Sequence, residues 1–293
     1  MEVGLSATAH HAGRHRAAVA CMLAAMLAMA TVDALGKWLV GTYPVSQILA
    51  IRSWVMIAVL LIGLSMMGGW RSLRTGRLPG HALRLVAGFG GPCCVFLALR
   101  ELSLADVTIV VFGAPLLVTV LSAPLFGEKV GAASWCCVGL GFLGILLALQ
   151  PGLGAGSVGV AFALLACVCY AGLNLSGRWL SGTEPTYRIV FYSSAGTALI
   201  STALLALQPW KAMPVGDIGL MAAMGLAASL GHLLMTQAFN TAPLATVAPL
   251  EYSTFVWATG FGYMVWGEVP SIPALLGAAL IVASSLYMIL LET

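Results

Sequence analysis

The chain of 293 residues is 60% hydrophobic and only 8% charged, with a mean hydropathy of +1.01. That leaves too little polar side chain to clothe a water-soluble globule, so lipid must solvate much of the surface. The net charge of +3, from 13 basic and 10 acidic residues, is too dilute to form the basic stripe that nucleic acid requires.

Crossing a hydrocarbon core of about 30 Å takes about 20 apolar residues per helix, so this length accommodates about ten spans joined by short connections. Apolar runs bounded by glycine, proline and charge predict helices over 17–40, 46–67, 81–100, 102–125, 131–149, 157–180, 186–208, 215–239, 242–266 and 271–291. Barrel strands are disfavoured, because the runs are about twice the ~9–11 residues a strand needs and do not alternate with polar positions. The predicted fold class is an all-α integral membrane protein of ten transmembrane helices.

At the start, Arg14 and Arg16 precede an apolar run with Ala28-Met29-Ala30, which has the outline of a signal peptide and its cleavage site. The run stays apolar to Val40, longer than a signal core, and is read as a retained first helix behind a cytoplasmic tail over 1–16. In that helix Asp33 and Lys37 stand four apart, an acid before a base, with Arg52 on the next helix. They are candidates for an ion pair gating the outer mouth, or for a purely structural pair near the interface.

Phe96 in the third helix and Phe112 in the fourth are candidates for an aromatic wall along a substrate path, against the commoner role of packing. Asp106, next to Arg100 and Glu101, is a candidate gate residue for which a helix-start role is the stronger explanation. Pro92 and Pro115 are placed to kink helices three and four. In the fifth helix Gly139-Leu-Gly141-Phe-Leu-Gly144 spells GxGxxG, but it follows no strand, and small residues there let helix backbones approach.

Comparing the chain with itself exposes a repeat. Asp33-Ala-Leu-Gly36-Lys37-Trp38-Leu39-Val-Gly41 matches Asn174-Leu-Ser-Gly177-Arg178-Trp179-Leu180-Ser-Gly182 at a displacement of 141, which Pro44 and Pro185 share. Ala98, Leu104, Ala105 and Val107 match Ala238, Leu244, Ala245 and Val247 at 140, as Gly127-Glu128 matches Gly267-Glu268. Two halves, 17–150 and 157–291, each hold five predicted helices. Five is odd, so the second half must insert the other way up, as an inverted repeat that offers two states of similar energy around a midplane site. Asn174 and Arg178, the counterparts of Asp33 and Lys37, then fall toward the inner mouth as a weaker gate.

In the eighth helix His232 and Gln237 are candidates for polar lining, with backbone bonding of the histidine an equal reading. Glu251 in the ninth stands about nine residues in, ~13 Å deep at 1.5 Å per residue. An acid at that depth is costly and usually faces a cavity or a partner, so Glu251 is a candidate for binding a cationic amine or exchanging a proton. The alternative is a protonated or internally bonded acid that fixes packing. Tyr252 and Trp257 beside it join the candidate aromatic wall. Trp38, Trp70, Trp179, Trp210 and Trp266 fall near helix ends, as interface anchors do, and Glu128 and Glu268 sit at helix exits, where a structural role is the default.

Placing both termini in the cytoplasm puts Arg14, Arg16, Arg71, Arg74, Arg77, Arg84, Lys129, Arg178 and Arg188 inside, against Lys37, Arg52, Arg100 and Lys211 outside. The positive-inside rule favours that orientation. The seven cysteines lie within apolar runs without paired CxxC spacing and are read as packing residues, so neither metal nor cofactor is implied.

Pro115 with the Gly127-Glu128 exit, and Ala248-Pro249-Leu250-Glu251-Tyr252 running to Gly267-Glu268-Val269-Pro270, resemble the drug/metabolite transporter superfamily in its ten-helix EamA-type branch. The resemblance covers nearly the whole chain. It implies an inner-membrane carrier, often an exporter, of amino acids and related metabolites, with a central cavity between the halves. Relatives carrying S-adenosylmethionine, riboflavin or amino-acid-derived metal chelators supply the alternative cargoes.

No GxxxxGK[ST] loop couples the chain to ATP, so the expected mechanism is a gradient-driven carrier of a small molecule, with protons as candidate partners through Glu251 or Asp33. An intramembrane enzyme would need convergent nucleophile, base or metal ligands at one depth. The sequence offers a single helical histidine, since His10, His11, His15 and His81 fall in the predicted tail and a loop. A sensor or assembly subunit would be expected to carry an appended domain or long loops, and the pattern leaves no room for either.

Overall fold

The computed structural model describes residues 2–67, 73, 75–127, 131–149, 157–181, 183–207 and 210–292. Trp70, Arg71, Arg74, Glu128 and Lys129 lie outside them. The described residues form helices α1 (Glu2–Val40), α2 (Val45–Met67), α3 (Leu78–Ala98), α4 (Leu104–Val111), α5 (Ala114–Phe126), α6 (Ala132–Leu149), α7 (Ser157–Ser181), α8 (Thr186–Leu205), α9 (Val215–Thr241), α10 (Leu244–Val247), α11 (Ser253–Phe261) and α12 (Ile272–Glu292). There is no strand among them. Eight stretches are long and apolar enough to span a bilayer, and Ile272–Met288 is a shorter apolar helix. The ninth span is assembled from α10, a 3₁₀ turn over Ala248–Tyr252, α11 and a π turn over Gly262–Trp266.

Three departures from the sequence reading have local causes. α1 reaches back to Glu2 through the predicted tail, where alanines at 7, 9 and 12 favour helix. The fourth span, expected to kink at Pro115, breaks outright at Phe112–Gly113, because Pro115 has no N–H to bond back and its ring crowds the carbonyl four residues before it. The ninth span tightens into 3₁₀ form around Pro249 for the same reason. Pro92, by contrast, is accommodated inside a continuous α3.

The packing has the symmetry of the repeat. α1 packs on α9 while α3 packs on α7, and α2 on α8 and α6 on α12 complete the strongest pairs. Exchanging the halves turns the first pair into the second and returns each of the other two to itself, as a two-fold axis requires. With an odd number of spans per half, that axis lies in the membrane plane. Gly127 and Gly267, 140 residues apart, both end their spans in the left-handed conformation, at φ 69° and 68°.

Where α6 meets α12, a side chain on Gly144 would come within 2.8 Å of the Gly277 carbonyl and of Ile281, and one on Gly141 within 3.2 Å of the Ser284 hydroxyl. The Gly144–Ile281 and Gly141–Ser284 contacts exchange under the 140-residue offset. Gly141 and Gly144 of the GxGxxG pattern therefore serve close helix approach.

Candidate functional site

The polar residues of the spans gather in the middle of the bundle. Asp33 from α1, Arg52 from α2 and Tyr170 from α7 lie deep within it and in electrostatic reach of one another. His232 on α9 feels both Arg52 and Arg84. Asp33, Arg52, Tyr170 and His232 all remain partly accessible, so the seam they form is not a sealed core. Arg84 is anchored, its Nη1 donating to the Leu173 carbonyl at 2.6 Å.

Glu251 lies in the 3₁₀ turn of the ninth span, half-buried. Its backbone carbonyl accepts the Thr254 hydroxyl at 2.7 Å, and its carboxylate has neither a hydrogen bond nor an ion pair among the described residues. The next residue, Tyr252, meets Phe112 edge to face with ring centroids 4.9 Å apart. Trp257 packs on the cluster of Met22, Met26, Ala238 and Val247, its indole N–H buried without a partner among the described residues. A bent helix, an acid with no partner among the described residues and flanking aromatics make a place that can hold a cationic group or a proton without first displacing a rival.

At the Lys37 end of the bundle a cavity of about 1040 Å³ opens between the α1–α2 connection, α3, Leu204, Trp210 and Lys211. Lys37 lines it and closes an ion pair to Glu268, so the end of the first span is tied to the exit of the ninth. Lys37 also donates to the Leu102 carbonyl at 3.0 Å, and the second oxygen of Glu268 accepts from the Leu104 N–H at 3.2 Å. The π turn and the left-handed Gly267 swing Glu268 back into this position, and Gly262 leaves the space it occupies. Trp266 covers the Lys37 ammonium at 5.2 Å from ring centroid.

One expectation is corrected, and Phe96 and Asp106 take the commoner of the roles open to them. Lys37 takes Glu268 as its partner, not Asp33, because the exit turn delivers a carboxylate to the interface while Asp33 sits a turn deeper among α2 and α7. Phe96 is no wall of a substrate path, for it is only 1% exposed and its ring fills the slot left by the missing side chain of Gly36. Asp106 is engaged in a helix cap, its N–H donating to Ser103 Oγ at 3.0 Å and its carboxylate accepting from that hydroxyl at 2.7 Å.

Asn174, Arg178 and Gln237 are exposed, and the Gln237 amide donates only along its own helix, to Thr241. Trp38, Trp179 and Trp210 are exposed, as interface anchors are, while Trp266 faces the cavity. Sequence reasoning missed Tyr43, Tyr170 and Lys211 as site residues and undervalued Arg100 and Glu268. The repeat offset and the Gly267-Glu268-Val269-Pro270 motif both marked Glu268, as a helix-exit residue.

The two connections that join the spans in pairs are bonded in equivalent ways. Tyr43 donates its hydroxyl to Asp217 at the start of α9. Glu184, which the 141-residue offset places opposite Tyr43, accepts from Thr75 just before α3 at 2.6 Å and from Arg188 at 2.6 Å. These hydrogen bonds, Thr75 first, hold the Glu184 carboxyl below its usual range.

A sequence profile of the EamA-like transporter family matches residues 16–150 and again 157–290. The pseudopaline exporter CntI of Pseudomonas aeruginosa (strain UCBPP-PA14) is 31% identical over 91% of this chain and 95% of its own. An S-adenosylmethionine uptake transporter of Rickettsia conorii is 24% identical over 92% and 91%. A riboflavin transporter of Brucella anthropi is 26% identical over 91% and 96%. A solved crystal structure superposes with a TM-score of 0.65 over 94% of this chain and 99% of that one, at 20% identity, a likeness of fold.

Proposed function

Because the chain belongs to the EamA-like transporter family and is a multi-pass membrane transporter, we propose that it exports a small amino-acid-related metabolite from the cytoplasm across a bacterial inner membrane. It works by alternating access, with both termini inside and Glu251 as the proton- or amine-binding group. The observation that carries this reading is the Glu251 carboxylate, unpaired and half-buried at the bend of the ninth span, beside the Phe112–Tyr252 contact. Within the bundle, Asp33, Arg52, Tyr170 and His232 supply charge of both signs in reach of one another, which suits a zwitterion. Outward transport is favoured by a relative named as an exporter at 31% identity, above the 24% and 26% of the uptake and riboflavin transporters.

In this mechanism the deep carboxylate holds a proton or the cargo's amine in turn, and the two halves rock around it. The test is flux of labelled amino acids and their conjugates in proteoliposomes under an imposed pH gradient, with candidates drawn from metabolites that accumulate in cells lacking the protein. Glu251→Gln is expected to abolish flux or its response to the gradient. Unchanged, pH-independent flux in that variant refutes the role of Glu251, and cargo that builds up in the medium of cells lacking the protein, instead of inside them, refutes export.

A further inference from the structure

Every charged residue lining the cavity of about 1040 Å³ is a cation: Lys37, Arg100 and Lys211. Lys37 is already neutralised by Glu268. Arg100 is exposed and has no ion-pair partner among the described residues, and neither has Lys211. Lys211 is nevertheless fixed in place. Its N–H donates to Gln47 Oε1 at 3.2 Å and its carbonyl accepts from Gln47 Nε2 at 2.8 Å, and Gln47 is fully buried. Its ammonium donates to the Thr42 carbonyl at 2.8 Å and stands 5.9 Å from the Tyr43 ring centroid. Tyr43 is itself held by Asp217, whose hydrogen bond pushes the phenol above its ordinary range and keeps it a donor. A buried amide that anchors a cation at the rim of a large hollow is a built feature, unlike a mobile surface lysine.

We propose that this cavity is a binding site for the carboxylates of the cargo, with Arg100 and Lys211 as the two cations that receive them, so that the cargo carries at least two carboxylate groups. Two uncompensated cations facing one hollow concentrate anions there, and Arg100 offers a planar fork suited to a carboxylate. Trp210 and Trp266 on the same walls provide apolar faces for the rest of the molecule. The volume stands at the upper end of ordinary ligand pockets, roughly 300–1,000 Å³, larger than a single simple amino acid needs. The inference deepens the export reading by naming a class of cargo, and it does not depend on the proton step at Glu251.

The test uses the full chain in nanodiscs of neutral phosphatidylcholine, with tricarballylate as the probe and its triamide as the uncharged control, read by titration calorimetry. Tricarballylate is expected to bind and the triamide not to, with affinity falling as sodium chloride is raised. Arg100→Gln and Lys211→Gln should each weaken binding by about 10-fold, or ~1.4 kcal/mol. Arg100→Lys and Lys211→Arg should retain most of it, showing that a lost charge and not a lost fold is responsible. Arg77→Gln, which removes a charge elsewhere, should change nothing, and because binding is read without flux the result stands apart from any proton step at Glu251. Absence of binding, or equal binding by the triamide, overturns the proposal. So does complete displacement by phosphatidylglycerol in the disc, which would assign these cations to lipid headgroups.

Discussion

Phe112 and Tyr252 touch edge to face, with ring centroids 4.9 Å apart and planes inclined at 82°. They are the same position of the two repeats, 140 residues apart, and a residue can meet its own repeat counterpart only beside the symmetry axis. The contact therefore marks where that axis crosses the bundle, at the breaks in the fourth and ninth spans. An edge-to-face pair contributes about 0.5–1.5 kcal/mol beyond the area it buries. Phe112→Ala and Tyr252→Ala are expected to destabilise non-additively by about that amount in a double-mutant cycle, measured by reversible unfolding in mixed micelles. Additive losses would mean that the rings do not interact.

The Lys37–Glu268 pair ties together residues 231 apart in sequence, one from each repeat. The side chains are 9% and 25% exposed, so the cost of removing one partner falls below the ~3–5 kcal/mol of a fully buried pair, at about 1–3 kcal/mol. Lys37→Gln and Glu268→Gln should each lower the midpoint of thermal unfolding in detergent. Exchanging the charges in a Lys37→Glu, Glu268→Lys double variant should restore only part of the loss. The flanking groups are a carbonyl for the lysine and an N–H for the glutamate, and they fix the polarity of the pair. Full restoration would show that those backbone contacts contribute nothing.

Much of this architecture was legible before any coordinates. The spans follow from runs of apolar residues too long for any other role, and the inverted pairing follows from Gly36, Trp38, Pro44 and Glu268 recurring at nearly one offset. Glu251 stood out because an acid deep in a span is costly. What stayed hidden depended on contacts between distant segments. Spacing within one helix pointed Lys37 at Asp33, since such a pattern carries no information about a carboxylate brought in by the ninth span. For Phe96 the sequence left packing and a place on a path both open, and the slot at Gly36, on another helix, is what decides for packing. The cations at 100 and 211 fall at helix ends and in connections, where sequence shows charge but not that both face one hollow.

Glu184 gives the protein an acid-sensitive contact. Its folded pKa is depressed by the Thr75 and Arg188 hydrogen bonds, so the stabilisation is present above the unfolded-state carboxyl value and is lost as pH falls through the depressed folded value. Unfolding of the detergent-solubilised protein should therefore become easier as pH drops below the ordinary carboxyl range. Glu184→Gln should be less stable at neutral pH and should show a shallower decline on acidification. Parallel stability curves for the two proteins across that window would remove Glu184 from the account.

The contact of α6 with α12 permits a sharper test, because it has almost no tolerance. A side chain on Gly277 would meet the Gly144 carbonyl and the Ala148 backbone N at 3.0 Å, and one on Gly144 would meet the Gly277 carbonyl at 2.8 Å. Backbone cannot move aside as a side chain can, so Gly277→Ala and Gly144→Ala must push the helices apart, at a cost of about 1–3 kcal/mol each. Gly139 lies in the same helix and the same GxGxxG pattern, yet nothing stands within 4 Å of where its side chain would point. Gly139→Ala should thus be neutral or slightly stabilising, since alanine is the better helix former by about 1 kcal/mol. The order of unfolding midpoints, with Gly139→Ala at or above the unaltered protein and the other two well below it, separates close packing from any demand of the pattern itself. Equal losses at all three glycines would contradict the packing seen between these helices.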